Sequence, residues 1–534
     1  MPPKTHVVLE GSERKALAGA VAIAPANPRT RVEVTVKVRR KKPLPEMEGR
    51  PSAFISKEKF AKTYGARPRE LAKVSKVLGR FGLKTESSST ATRSVRLSGT
   101  VKETEQAFAV KLFRYRHESG EYRGRTGKLC VPKELDGLVE AVVGLDNRRM
   151  VRRRHQPVTA RARSSGSVPS SWYKPAELAA HYNYPAGNGT GQTIAVLEFG
   201  GGYFPNDLKK FCALAGTAIP TVDPISTDGT STKAHDGEEA EVMLDIEVIA
   251  GVCPQAKIVA YFAEFTEQGW VTILDSVMHD TSNDVSVVSC SWGYAEGNDI
   301  WTQQASTQVS QSLQEAAMMG ITVCIAAGDD GSSDAITDGL AHVDFPGSSP
   351  FALAVGGTTI PVKGGAGPDI VWFEGSGLRA SNGGSTGGGV SAVFPVPSWQ
   401  TSVAVPSVDP GAIAGRCVPD IAANADWNAS PYLLVVDGKA QANGGTSAAT
   451  PLVASLIALI NEQRGSGKQV GYLTPLLYQA QGSGTIGSGG CTDVVKGNNS
   501  TDKVGGYSAG TGWDAASGWG TPNGQNLLAA LASV

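Results

Sequence analysis

The chain has 534 residues, 41% of them hydrophobic, with 50 basic and 50 acidic side chains in formal balance. That length predicts two or three domains with full cores, and the absence of any apolar run of about 18 residues excludes a membrane-spanning helix. The zero net charge hides a division, because residues 1–165 carry 37 Lys and Arg against 16 Asp and Glu, and residues 166–534 carry 13 against 34. Opposite fields of that size favour docking of one piece on the other.

The start, Met1-Pro2-Pro3-Lys4-Thr5-His6, lacks the apolar core of a secretory signal. Residues 1–30 show no strong periodicity and read as a mobile arm. Residues 31–39 (RVEVTVKVR) alternate as a half-buried strand does. Ser56 suits the N-cap of a helix through Tyr64, and residues 69–81 predict a second helix closed by Gly82. Residues 94–98 read as a strand, 102–108 as a short helix, and 112–122 as a hairpin turning at Ser119-Gly120. Residues 132–143 read as a closing helix. The expectation is an α+β unit with an antiparallel sheet backed by helices. The basic run Arg148–His155 then leads into residues 159–171, rich in Ser, Ala and Pro, an exposed stretch open to proteolysis. Without interleaved aromatics this run does not suit a nucleic-acid partner.

From Thr193 the pattern changes to α/β. Residues 193–197, 258–262, 285–289, 321–326 and 352–355 are short, nearly continuous apolar runs, as parallel strands covered on both faces are. Helical stretches at 206–215, 237–249, 270–279 and 301–320 alternate with them. A doubly wound parallel sheet is expected, with active groups at the carboxyl ends of its strands. The cysteines Cys130, Cys212, Cys253, Cys290, Cys324, Cys417 and Cys491 are scattered and form no C-x-x-C. That pattern suits neither a disulfide framework nor a zinc site, though one bridging pair stays open.

The stretch Asn443-Gly444-Gly445-Thr446-Ser447-Ala448-Ala449-Thr450-Pro451 runs straight into the apolar residues 452–460. A small-residue loop thereby brings one hydroxyl, Ser447, to the first turn of a helix, among unpaired N–H donors that stabilise developing negative charge. Pro451 is expected to fall where a helix needs no N–H. A plain serine N-cap is the alternative. Ser447 needs a base, and no histidine opens the H-G-T helix of a subtilisin-type enzyme. Residues 237–249 instead read GEEAEVMLDIEVI, with Glu241 and Asp245 four apart on one helical face and Glu238 nearer the exposed end. Two close carboxyls share a proton, so such a pair can accept one from serine in acid, where imidazole is already charged. A solvated helix face is the other reading.

Together these segments resemble the sedolisin, or serine-carboxyl peptidase, family and its kumamolisin-type precursors. The resemblance rests on IAVLEFGGGY (194–203), EVMLDIEV (241–248), SCSWG (289–293), AAGDDG (326–331), HVDFPGSSP (342–350), GGTSAATP (444–451) and AGTGWD (509–514), and on propeptide-like segments of the basic piece. It implies an α/β, subtilisin-like doubly wound catalytic domain over 169–534. Ahead of it would stand a ferredoxin-like α+β propeptide over 1–147 and an activation linker over 148–168. It implies Ser447 as nucleophile, Glu241 as base and acid, Asp245 as its partner, and Asp329 as a protonated oxyanion donor. Asp330 stands where many relatives have serine, which leaves open which aspartate points inward. Glu198 and Trp292 would extend the carboxyl network, and Asp344 would line the substrate cleft. One Ca2+ would be held by Asp493, the carbonyls of Val494, Gly510 and Gly512, and Asp514. The resemblance further implies a secreted monomer acting on protein or peptide substrates, with its own propeptide as partner in cis. Two rivals remain: a histidine-based peptidase using His235, and an inactive binding protein of the same fold.

Overall fold

The computed structural model describes residues 4–118, 120–150, 168–297, 300–364, 367–381, 383–501, 503–532 and 534. Strand β1 (Arg31–Val38) keeps its alternation, burying Val32, Val34, Val36 and Val38 on one face. It is followed by α1 (Pro68–Gly79), β2 (Lys84–Ser89), β3 (Ser94–Thr100), α2 (Val101–Phe108) and β4 (Val139–Val143). The sheet runs β2–β3–β1–β4, antiparallel throughout, the ferredoxin-like order expected. Leu71, Val74 and Val77 of α1 and Val101 and Phe108 of α2 share one core with the β1 valines. Ser56 caps its helix (Lys57–Tyr64) by accepting from the Lys59 N–H.

Two expectations fail here. The closing helix is a strand: Val139–Val143 lies between Gly137 and Gly144, both at positive φ, and its β-branched residues pair with β1. The arm expected to be mobile is, over its described residues 4–30, a paired segment, His6–Val8 with Cys130–Pro132 and Val21–Pro25 with Phe113–His117. These segments of 3 and 5 residues are too short to show a period. Phe113–His117 and Gly120–Gly124 form the expected hairpin. Ser119 at its turn, and residues 151–167 of the linker, lie outside the described residues.

The second half is built on β5 (Thr193–Glu198), β6 (Thr221–Ser226), α3 (Glu239–Val252), β7 (Lys257–Phe262), α4 (Glu267–His279), β8 (Val287–Cys290), α5 (Gln303–Met319), β9 (Thr322–Ala326), β10 (Leu353–Thr359), β11 (Ile421–Asn424) and α6 (Thr446–Arg464). The strands lie in the order β6–β7–β5–β8–β9–β10–β11, all parallel. Helices α3 and α6 cover one face, and α4 and α5 the other. The strand order reverses at β5, which opens a crevice at the carboxyl ends of the strands around it. Edge strand β6 (TVDPIS) is polar and contains proline, which hid it from the hydrophobic pattern. All seven cysteines are free thiols, six of them buried. Among the described residues, no helix is long and apolar enough to cross a membrane.

The other face of β1 explains why Thr35 and Lys37 are buried too. Lys37 Nζ stands 2.7 Å from Asp275 of α4, and Gln268 donates to the Thr35 hydroxyl. Arg14 Nη1 donates to Glu267 at 2.7 Å, and Arg40 Nη2 to Glu315 of α5 at 2.5 Å. Gln304 of α5 exchanges two hydrogen bonds with the Val142 backbone. The charge division read from the sequence is thus realised as buried pairs at one junction. Burial alone would raise the Glu315 carboxyl, but His279, Arg40 and Arg93 outweigh it and hold it far below the usual carboxylate range. Lys37→Met would strand Asp275, a loss of about 3 kcal/mol for a broken buried pair. Urea unfolding of the full chain should show a lower midpoint; an unchanged midpoint would remove this pair from the forces holding the halves together.

Candidate active site

The residues singled out by their chemistry converge on the crevice. Glu198 ends β5, Ser291 and Trp292 follow β8, Asp329 follows β9, and Ser447 is the second residue of α6. Helix α3 is buried all round from Ala240 to Val252, so the solvated-face reading of Glu241 and Asp245 falls. Glu198, Glu241 and Asp245 are 0%, 3% and 0% exposed. Burial pushes the Glu198 and Asp245 carboxyls well above the usual range. The Trp292 ring N–H, 3.1 Å from Glu198 Oε2, opposes this, and the charge of Glu241 reinforces it. Asp245 feels Glu198 and Glu241 in the same way.

Ser291 ties this cluster to the helix that carries Ser447. Its Oγ lies 2.8 Å from Asp245 Oδ1 and 3.1 Å from the Ser447 carbonyl oxygen. A hydroxyl has one proton to donate. With Asp245 in its acid form, the carboxyl donates to Ser291 and Ser291 donates to Ser447, and both contacts are satisfied. The Ser447 carbonyl is available because of Pro451, which corrects the sequence reading. Pro451 lies inside α6, beyond the four free N–H positions, so its missing N–H leaves that carbonyl without the usual i+4 donor. Ser447 Oγ itself is buried and has no hydrogen-bond partner among the described residues.

The structure also decides between the paired aspartates. Asp329 Oδ1 accepts from the Thr446 N–H at 2.8 Å and the Thr446 hydroxyl at 2.6 Å, which leaves Oδ2 as the oxygen able to carry a proton. A Cβ on Gly445 (φ +92°) would stand 2.8 Å from that Oδ2, so the loop needs glycine there. Asp330 turns the other way, accepting from the backbone N–H and side chain of Arg379. Asp344 is buried, with Oδ2 3.7 Å from the position of a Gly328 Cβ, so it faces the same loop.

His235 is not part of this constellation. It lies at the surface, stacked on Phe204 at 4.2 Å and 3.8 Å from Asp437. With Glu239 it forms an exposed group able to hold a metal ion. His181, His279 and His342 face Asp369, Glu315 and Asp338. The C-terminal loop sets Asp493 and Asp514 against its glycine turn. Gly512 N–H donates to Asp493 Oδ2 at 2.8 Å and Gly510 N–H to Asp514 Oδ2 at 3.1 Å, while Asp493 Oδ1 is buried without a hydrogen-bond partner among the described residues. An orphaned carboxylate oxygen beside a glycine turn fits a hard cation. Sequence reasoning missed Ser291, Thr446 and Arg379. The first two stand inside quoted motifs, whereas nothing local marks Arg379.

Comparison with known proteins agrees with this geometry. Residues 19–148 match the pro-kumamolisin activation domain, and residues 227–520 match the subtilase family. Kumamolisin of Bacillus sp. (strain MN-32) is 40% identical over 546 aligned positions, covering 98% of this chain and 96% of its own. Sedolisin of Pseudomonas sp. (strain 101) is 29% identical over 79% of this chain and 72% of its own. The structure of Pseudomonas sedolisin complexed with two molecules of pseudo-iodotyrostatin matches with a TM-score of 0.59 at 28% identity, covering 68% of this chain and 98% of that one. Fold and relatives together define a peptide hydrolase of the serine-carboxyl class. The chain belongs to the sedolisin family, as a kumamolisin-like precursor with its activation domain in front.

The raised carboxyls have a consequence for stability. Unfolded, Glu198 and Asp245 would titrate near ~4. Between there and their raised folded values the native state holds the extra protons, so their contribution is full in acid and declines as pH rises. Thermal midpoints from pH 4 to 8, in a Ser447→Ala background to prevent self-digestion, should decline less steeply after Glu198→Gln. An identical slope would show Glu198 ionised throughout.

Proposed function

We propose that the chain is the zymogen of an acid-acting endopeptidase in which Ser447 is the nucleophile. Glu241 acts as general base and then acid, Asp245 orients it, and Asp329 donates to the oxyanion. The observation that carries this reading is the burial of three carboxyls in one cluster, linked through Ser291 to the backbone of Ser447.

Ser447 Oγ attacks the scissile carbonyl carbon while Glu241 takes its proton. The new oxyanion accepts a hydrogen bond from the acid form of Asp329, since a carboxylate there would repel it. Collapse breaks the C–N bond, and Glu241 returns the proton to the leaving nitrogen. Water then attacks the acyl-enzyme with Glu241 again as base, and the departing Ser447 recovers its proton. Glu198 and Trp292 hold the proton pool of the cluster, and Asp344 gives the cleft a carboxyl suited to a basic side chain. Acid conditions are needed because the machinery works only with protons resident on most of these carboxyls.

The same reading divides the chain into a propeptide over 1–147, a linker over 148–168 and a catalytic domain over 169–534. Met150 supports cutting in cis, since its N–H donates to the carbonyl of Phe265, whose ring packs on Phe199 and on Trp292, the partner of Glu198. Acid would neutralise carboxylates at the junction and loosen the complex, with Glu315, held far below the usual range, not among the first of them. Asp493 and Asp514, with carbonyls of Val494, Gly510 and Gly512, would hold one Ca2+ and pin the C-terminal loop.

Two experiments test this. Ser447→Ala and Glu241→Ala should each lower kcat on a peptide by at least about 10³-fold and abolish self-processing, whereas His235→Ala should leave both intact. Loss of activity in the His235 variant alone would overturn the assignment. Calcium at a hundredfold excess over its Kd should stabilise the enzyme by about 2.7 kcal/mol. Chelation should therefore lower the thermal midpoint, and Asp493→Asn should remove that calcium dependence. A midpoint indifferent to calcium would sink the site.

A further inference from the structure

Asp330 and Arg379 are unexplained by the chemistry so far, although both are buried and neither supports a strand or helix core. A carboxylate and a guanidinium taken out of water together need a return, since apolar residues of similar volume often fill such space at no cost. Their placement suggests one. Arg379 Nε donates to Asp330 Oδ2 at 2.9 Å and its backbone N–H to Oδ1 at 2.9 Å, while Nη2 also reaches Oδ2. Its Nη1 lies 3.9 Å from Asp329 Oδ2, the oxygen opposite the one that accepts from Thr446. Burial works against the Arg379 charge, but Asp330, Asp329 and Asp334 outweigh it, so the guanidinium stays charged.

We propose that Arg379 and Asp330 form a positioning pair for the oxyanion carboxyl, the arginine fixing the direction of Asp329 Oδ2 and Asp330 cancelling the field that would strip its proton. A bare cation at this distance favours the ionised carboxyl, and the ionised form cannot donate to the oxyanion. A bare Asp330 would do the reverse. Asp334 and Asp344 also face this loop, with oxygens 3.5 and 3.7 Å from the position of a Gly328 Cβ. Gly445 and Thr446, at the start of α6, bring no charge to it. Arg379 is a cation within 3.9 Å of Asp329, and its pairing with Asp330 modulates how much of that charge Asp329 feels. The inference rests on Asp329 being the oxyanion donor.

The test is the pH dependence of kcat/KM on a peptide substrate, for enzymes matured from the full chain. Asp330→Asn exposes the guanidinium and should move the alkaline limb down by about one pH unit. Arg379→Gln should move it up, and the double variant should return it close to the parent position. The double variant strands no charge, so it decides the matter where a single variant does not fold. A purely structural pair would change yield and thermal midpoint while leaving every limb in place, and that result overturns the proposal. Asp329→Ala separates the two levels of the argument. If it leaves kcat unchanged, the oxyanion assignment itself fails. If it collapses kcat while the Asp330 and Arg379 limbs stay fixed, only the pairing role fails.

Discussion

Three carboxyl groups share a space that cannot hold three negative charges, and the rest of the catalytic half is arranged around that constraint. Glu198, Glu241 and Asp245 come from a strand end and one helix, all buried, and their mutual repulsion compounds the cost of taking each from water. In the proposed mechanism the trapped protons do the work that an imidazole does in other serine peptidases. Helix α3 must be buried on every side to create such a place, and from Ala240 to Val252 it is. The parallel sheet supplies the remaining parts, because each strand ends at the same rim.

The N-terminal half answers a different demand. Its sheet has one face for its own helices and one for its neighbour, so β1 alternates at its start and is buried on both sides later. Lys37 on that second face, with Arg14 and Arg40 beside it, finds Asp275, Glu267 and Glu315 on α4 and α5. Those helices cover the sheet face away from α3 and α6. The activation domain is therefore anchored on the back of the catalytic layer, while its last described residue, Met150, arrives in the Phe199 and Trp292 cluster.

Much of this was legible from the residues alone, and the gaps have physical causes. The i,i+4 spacing of Glu241 and Asp245 and the run into α6 are local signals, and both survived. The strand Val139–Val143 was misread because a short apolar run carries no period that separates helix from strand, and only pairing with β1 decides it. The pairing of residues 6–8 and 21–25 depends on partners about a hundred positions away. The orientation of Asp329 against Asp330 could not be read either, since it is settled by Thr446 on one side and Arg379 on the other. Non-local contacts of this kind leave no mark on a sequence window.

Pro451 merits a final thought. A helix normally latches its first turn to the next through its own backbone, so disturbance anywhere along it travels to its tip. Here the imino ring leaves that latch open, and Ser291, anchored to the sheet, closes it from outside. Ser447 is thereby referenced to the rigid floor of the molecule rather than to the long rod behind it, which would, on the proposed mechanism, decouple thermal flexing of that rod from the point of attack.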